Sequence, residues 1–429
     1  MKPGHVFRRF ARGPVRGSVT AGLSDGGFSM ASGETAASVR GARPSLKTRV
    51  LLVGSETHTA GAAAAARQAG LEPMVHPDAG RGPDALAEAA RAAGVAGIYS
   101  ADEAHAELVA AAAHALGLPC FSARAARLLR NKEALRAVLA KDTELNPRYG
   151  VADTLAAALS ALERLGLPAV VKPVDGSGGR GALIVRDMDD ASLAFVRASR
   201  AASNGRVVVE PYLAGTEYRV VCQSGEGSWA ILAVLSNVPA GRDHLFDRAV
   251  VAPVRVAGAL RTRLREQVRT AMRLAGGFQG VVVFEFLAVG EALHLLEIAH
   301  INETPALATR LFPAICGINL LELDVASSVG RPFETKPRFT ACGALWWLKP
   351  QSGIVVSVHG IVEARAVPGV AAIEVSAKVG TVLGHQVDAP SRDAAGYVLA
   401  TARTPRRALE KAQYASEYLR FETSAALET

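Results

Sequence analysis

Two groups of residues in this 429-residue chain have the types and spacing to do chemistry. The first lies in "LPAVVKPVDGSGGRGALIV", Leu167 to Val185. Here an apolar run carrying Lys172 leads into glycines 176, 178, 179 and 181 and then into a second apolar run. Glycines let a backbone come close to an anion and point N–H groups at it, and a lysine on the adjoining strand meets the same anion as a point charge. A Walker loop puts its lysine after the glycines, at the start of a helix, and a dinucleotide loop also opens a helix. In this chain Lys172 precedes the glycines, and "GALIVRD" after them has the composition of a strand. The sequence therefore predicts a strand, a glycine-rich flap and a second strand. Such a loop either clamps an anion or is an ordinary glycine-rich hairpin. Lysine usage favours the anion: only nine of the 48 Lys and Arg residues are lysines, so one inside an apolar strand is not there by default.

The second group is in "VVVFEFLAVGEALHLLEI", two apolar runs around a short turn at Gly290, a hairpin by pattern. A loop of residues 290–292 sets Glu285 opposite Glu297. Opposed like charges in a sheet repel, and a buried unpaired carboxylate costs several kcal/mol or takes up a proton. A divalent cation between them removes both problems. Alternatively the pair lies on a solvated face, and a one-residue slip in register would separate it.

Regular elements must position these groups. "TRVLLVG", "LEPMVHP" and "VAGIYS" read as strands separated by helices, an N-terminal parallel α/β domain over about 48–122. The turn after the first strand, "VGSETHTAG", lacks GxGxxG, so a dinucleotide role is unsupported there. "SARAARLLRNKEALRAVLA" reads as helical, a helix over about 154–166 precedes the flap, and "GALRTRLREQVRTAMRLAGG" precedes the glutamate hairpin. From "ACGALWWLKP" onward, short strands and turns lead to a closing helix that begins near Thr404 and Pro405. The domains expected are a basic, disordered tail at 1–46, the α/β domain at 47–125, a flap-bearing unit at 126–208, a unit at 209–330 holding the glutamates, and a β-rich domain at 331–429 ending in a helix.

Composition excludes several function classes. With 49% hydrophobic residues a large core is available, and no apolar run approaches the ~18 residues of a membrane span. The net charge of +8 suggests nucleic acid, but residues 1–49 hold nine basic and two acidic groups, which leaves the rest nearly neutral. A basic footprint for nucleic acid is thus missing from the folded part. The tail is either a transit peptide or an over-extended start ahead of Met30. Cys120, Cys222, Cys316 and Cys342 have no CxxC spacing, which argues against zinc and fits a reducing, cytoplasmic setting.

In this order the elements resemble the ATP-grasp superfamily of carboxylate–amine ligases over roughly 48–330. "GLPCFSARAARLLRNKEALRAVLA" is similar to the segment bearing the first ATP lysine, which implies that role for Lys132, with Asn131 where Asp is usual. "AVVKPVDGSGGRG" resembles the second lysine and its flap, which implies ATP contacts for Lys172, Ser177, Gly178 and Gly179. "VVVEPYLAGTEYRV" resembles the hinge, so Glu210 and Leu213 would frame adenine and Glu217 would bind ribose. "FEFL" and "LLEI" resemble the metal strands, making Glu285 and Glu297 ligands of Mg2+, with Mn2+ an alternative. "GIVVSVHGIVEARAVPGVAAIEVSAKVGTVLGH" and "GYVLATARTPRRALEKAQYA" resemble the C-terminal domain of the dipeptide-forming L-amino-acid ligases.

The resemblance implies an ATP-grasp fold and an ATP- and Mg2+-dependent ligase. The γ-phosphate would activate a small-molecule carboxylate as an acylphosphate, and an amine would displace phosphate to form an amide. Nucleic acid and membrane partners are not expected, and a homodimer is open. Alternatives are an ATP-grasp enzyme with another acceptor, carboxylase-like or making a nucleotide precursor, and a non-catalytic ATP-binding homologue. The family's "E-x-N-x-R" run is "EIAHI" here: Ala299 stands for Asn, and Ile301 for the Arg that steadies the transferring phosphate. Asn302 could reach the metal, His300 could join it, and Arg310 could fold back to the phosphate. In "AGRDHLFDRAVVAP", Arg242, His244 and Arg248 either hold a substrate carboxylate or belong to a solvated loop.

Overall fold

Val50, Leu51, Leu52 and Val53 are almost fully buried, and the strand they form, β1 (Arg49–Val53), is central in a parallel sheet with β2 (Glu72–His76) and β3 (Gly97–Tyr99). The computed structural model describes residues 48–424 apart from 78–81, 141–144, 177, 226, 242–244, 257, 302–303, 333–335 and 386–387. The expectations for the 1–46 tail and for Ser177, Arg242, His244 and Asn302 lie outside the described residues. Helix Glu56–Gln68 packs on the parallel sheet through Ala62, Ala63, Ala65 and Ala66, small side chains that permit close approach. This is the α/β arrangement that the alternating pattern predicts.

The helical run after Ser122 is two helices, not one. Ser122 caps helix Ala123–Arg130, and the chain breaks at Asn131, whose side-chain oxygen accepts from the Ala134 N–H at 2.8 Å and starts helix Lys132–Val138. Asn favours such a cap over a helix interior. The break places Lys132 in a first turn, where its own N–H donates to the Val174 carbonyl beside the flap.

A four-stranded antiparallel sheet follows: β4 (Gly150–Ala152), β5 (Ala169–Pro173), β6 (Leu183–Val185) and β7 (Val207–Pro211), in the order β4-β7-β5-β6. Helices Leu155–Leu165 and Ala191–Ala201 cover it through a core of its own. The stretch from Gly176 to Gly181 joins β5 to β6, so the expected strand, flap and strand are all present.

The largest sheet contains β8 (Thr216–Gly225), β9 (Ser228–Pro239), β10 (Asp247–Ala252), β11 (Gly280–Val289) and β12 (Ala292–His300). It continues through β13 (Cys342–Trp347), while β14 (Gly353–His359) leaves it for a second small sheet. The remaining strands are β15 (Val370–Val375), β16 (Val382–Leu383), β17 (Gly396–Ala402) and β18 (Arg420–Ser424). The antiparallel order is β12-β11-β8-β9-β10-β13-β17-β15, and β16-β14-β18 is the small sheet. Of the strands after residue 341, β13, β17 and β15 thus extend the sheet that holds the glutamates, through the β10–β13 pairing. The closing helix spans Pro405–Ser416, capped by Thr404, and a final strand, β18, follows it and pairs with β14.

Alternation along β11 splits the core between the sheet's two faces. Val281 and Val283 join a cluster with β1, helix Glu56–Gln68 and helix Leu320–Ser327. Val282, Phe284 and Phe286 join another with helices Ala123–Arg130 and Gly258–Ala275. This period of two is what a sheet buried on both faces requires.

Candidate active site

Glu285 and Glu297 stand directly opposite each other on β11 and β12. The turn between these strands is two residues, Gly290 and Glu291, one fewer than the spacing expectation used. A bulge compensates: Glu285 pairs with Glu297 but Phe286 pairs with Leu295, which leaves Leu296 as the extra residue. Without that bulge Glu285 would face Leu296 and Glu297 would turn to the other side.

Arg136 braces the bulge. It is fully buried, and its fork donates from Nη1 to the Leu295 carbonyl and from Nη2 to the Leu296 carbonyl, both at 2.9 Å. Its Nε donates to Glu210 Oε1 at 2.6 Å, and Lys172 Nζ donates to Glu210 Oε2 at 2.7 Å. Burial alone would raise the Glu210 carboxyl, but the two cations hold it at about 2. Lys172 shifts down: burial outweighs the pull of Glu210, and Arg136 and Lys132 add repulsion. Arg136–Glu210 is therefore the stabilising pair, and Lys172 is a desolvated cation that an anion would relieve.

These groups surround a cleft of about 620 Å³ between the flap sheet and the large sheet. Lys132, Lys172, Gly178, Gly179, Glu210, Leu213, Glu217, Glu285 and Glu297 all line it, so most of the residues singled out from sequence converge on one place. Lys132 Nζ donates to Glu297 Oε1 at 2.6 Å and also to the Gly176 carbonyl at the base of the flap. Gly178 and Gly179 have φ of 62° and 74°. The Gly178 carbonyl accepts from the Ala389 N–H at 2.7 Å, and a Cβ on Gly179 would come within 3.1 Å of the Leu245 carbonyl. Close backbone contact and left-handed φ together explain glycine there.

The floor is crowded with carboxylates. Arg219 on β8 lies opposite Glu285, with Nε 2.9 Å from Glu285 Oε1, Nη2 3.0 Å from Asp247 Oδ2 and Nη1 3.5 Å from Thr304 Oγ1. Asn237 donates to Glu217. Burial raises the pKa of Glu217 and Glu285; Asp247 and Glu285 raise Glu217 further, and for Glu285 the pull of Arg219 is opposed by Glu297 and Asp247. Among the described residues, Glu285 and Glu297 each lie against a cation through Oε1, Glu297 in a hydrogen bond with Lys132 and Glu285 in an ion pair with Arg219. Both carboxylates line the cleft, and one or two carboxylates beside phosphates are the donor set Mg2+ takes. The residues fit that ion.

Three expectations need correction. Arg310 does not enter the cleft: Leu307, Ala308 and Leu311 take the inward face of the π-helical turn Leu307–Leu311, which leaves Arg310 exposed with its guanidinium on the Tyr397 hydroxyl. Arg248 is buried but alternates away from Asp247 along β10 and donates to the Trp347 carbonyl at 3.1 Å, outside the cleft lining. His300 pairs with Asp324 at 2.9 Å, in a group with the Tyr99 hydroxyl, outside the cleft lining.

Sequence reasoning missed Arg136, Arg219, Asn237, Asp247 and Arg392. Arg136 follows Lys132 at i+4 on one helix face, and Arg219 follows Glu217 at i+2 on one strand face, so both had a signal. Arg392, from the short helix Ala389–Asp393, stacks 3.7 Å over the Trp347 ring and donates to the Asp247 carbonyl. No local pattern marks it.

Residues 131–334 match the family described as carbamoyl-phosphate synthase L chain, ATP binding domain, and residues 346–424 match L-amino acid ligase C-terminal domain 2. The fold is similar to that of an L-amino acid ligase from Bacillus licheniformis, with TM-score 0.74 and 19% identity over 88% of this chain and 99% of that one. It is also similar to N5-carboxyaminoimidazole ribonucleotide synthetase from Thermotoga maritima, with TM-score 0.66 and 16% identity over 88% and 100% of the two chains. Among curated proteins, formate-dependent phosphoribosylglycinamide formyltransferase of Pseudomonas savastanoi is 40% identical over 95 residues, 21% of this chain and 24% of its own length. The same enzyme from Rhodococcus jostii is 24% identical over 256 residues, 58% of this chain and 62% of its own length. The chain thus has the ATP-grasp fold, with residues 131–334 similar to the ATP-binding domain of that family model and residues 346–424 similar to the L-amino acid ligase C-terminal domain.

Proposed function

We propose that this protein is an ATP- and Mg2+-dependent ligase that joins a carboxylate, that of an amino acid, to an amine, releasing ADP and phosphate. Support comes above all from one observation: the opposed Glu285 and Glu297 share a cleft with Lys132, Lys172 and the glycine flap. The matched C-terminal domain favours amino-acid substrates.

Leu213 and Glu210 would frame adenine and Glu217 would hold ribose, while Lys132, Lys172 and the N–H groups around Gly178 and Gly179 receive the phosphates. Glu285 and Glu297 would hold Mg2+, which neutralises phosphate charge. A substrate carboxylate oxygen attacks the γ-phosphorus; the bond to the β–γ bridging oxygen breaks and ADP leaves with the electron pair. The amine lone pair then attacks the acyl carbon. A C–N bond forms, the C–O bond to phosphate breaks, and the nitrogen loses a proton to solvent. The protein contributes alignment and fixed charge, the main resources for phosphoryl transfer.

A carboxylate without an amino group is a second reading, favoured by the 40% identity over 95 residues to a formate-dependent enzyme. Phosphate release from ATP and Mg2+ over pairs of amino acids, with formate and bicarbonate as added acceptors, tests both. A product of summed mass minus water, formed with equal phosphate, is the result expected. Phosphate release with formate or bicarbonate alone would select the second reading, and ATP binding without release would count against both.

A further inference from the structure

Ile301 stands where the resembled pattern carries its phosphate-steadying arginine, and at 1% exposure it is locked in the core. We infer that Arg219, on β8, supplies this charge: its guanidinium contacts the γ-phosphate as it is transferred. This rests on the ligase reading above.

Placement is the first support. Arg219 is the cross-strand neighbour of Glu285, and its Nε lies 2.9 Å from Glu285 Oε1. A group ion-paired with a carboxylate that would hold Mg2+ stands next to the phosphates that share the ion. Glu285 would hold Mg2+ while its Oε1 stands beside Arg219 Nε.

The other cleft cations occupy different places around the cleft. Lys132 and Lys172 stand at the flap, tied to Glu297 and Glu210. Arg180 is exposed on the flap, and Arg392 lies against the Trp347 ring. Arg219 alone among the described lining residues joins its guanidinium to Glu285.

Preorganisation is the second support. The Arg219 side chain is 12% exposed and fixed on three sides by Glu285, Asp247 and Thr304. A charge held in place before the reaction stabilises the transition state without reorganising during it. The planar fork matches the oxygens of a phosphoryl group, which an ammonium does not reproduce.

The test compares full-length wild type with Arg219→Met and Arg219→Lys. Calorimetry with Mg2+ measures affinity for ADP and for β,γ-methylene-ATP, so the binding arm needs no turnover. Arg219→Met should lose at least about tenfold of the preference for the triphosphate while ADP affinity stays within about threefold. Its kcat should fall by about 10²–10³, with partial rescue by added guanidinium ion, and Arg219→Lys should lie between. Equal losses for ADP and the triphosphate would mark Arg219 as a structural ion pair and overturn the assignment. So would a folded Lys or Met variant with full preference and full kcat. A wild type that prefers the triphosphate but yields no product contradicts the ligase reading, leaving the role of Arg219 to the binding arm.

Discussion

Replacing Arg136 by Met probes the link between the flap and the metal strands. The magnitude follows from Glu210, whose carboxyl the Arg136 and Lys172 cations bring from 4.5 to about 2 against the upward push of burial. At about 1.36 kcal/mol per pH unit, that displacement corresponds to on the order of 3 kcal/mol of stability. Removing one partner of a buried pair costs about 3–5 kcal/mol, in agreement. The folded pKa is depressed, so this stabilisation is present above pH 4.5 and is lost as the pH falls toward about 2. The variant should therefore have a lower urea midpoint than wild type at neutral pH, and the gap should shrink between pH 4.5 and about 2. Midpoints are the proper comparison, because a chain of this size need not unfold in two states. Loss of the bonds to Leu295 and Leu296 should also loosen the bulge and weaken Mn2+ binding in the presence of ATP. Equal midpoints at neutral pH, or a gap that persists unchanged down to about pH 3, would show that Arg136 does not stabilise the fold through Glu210.

Other perturbations have equally definite outcomes. Glu297→Gln should lower Mn2+ affinity by at least about tenfold, read by electron paramagnetic resonance, with the circular dichroism spectrum kept; unchanged affinity would remove Glu297 from the ligand set. Gly181 has φ of 74°, and a Cβ there would lie 2.5 Å from that of Ala201, so Gly181→Ala should cost about 1–3 kcal/mol and weaken ATP binding through the displaced flap. Wild-type melting and affinity in that variant would show that the flap tolerates the shift. Because burial pushes Lys172 down, ATP binding should take up protons at alkaline pH, as phosphate draws the amine back to its charged form. Calorimetry in two buffers of different ionisation enthalpy reads this, and the uptake should vanish in Lys172→Met.

What could be read from the sequence was local. The flap was legible because Lys172, the glycines and both flanking strands fall within nineteen residues, Leu167 to Val185. The glutamate pairing was legible for a partly wrong reason: a turn one residue shorter than expected is offset by the bulge at Leu296. The break at Asn131 is a capping effect that a continuous apolar pattern hides. Arg136 meets Glu210 across 74 positions, and Arg392 meets Asp247 across 145, so neither contact leaves a trace in spacing. The same holds for the β10–β13 pairing, which carries the large sheet into the last part of the chain. Arg310 failed for a geometric reason, since a π-helical turn decides which side faces inward.

In the proposed reaction the γ-phosphate passes to a substrate carboxylate. The most direct test of that transfer labels the carboxylate oxygens of the carboxyl substrate with 18O and analyses the released phosphate by mass spectrometry. Transfer through an acylphosphate predicts one 18O atom in inorganic phosphate for each amide formed, and none in ADP. Amide formation with unlabelled phosphate, or label appearing in AMP, would contradict it.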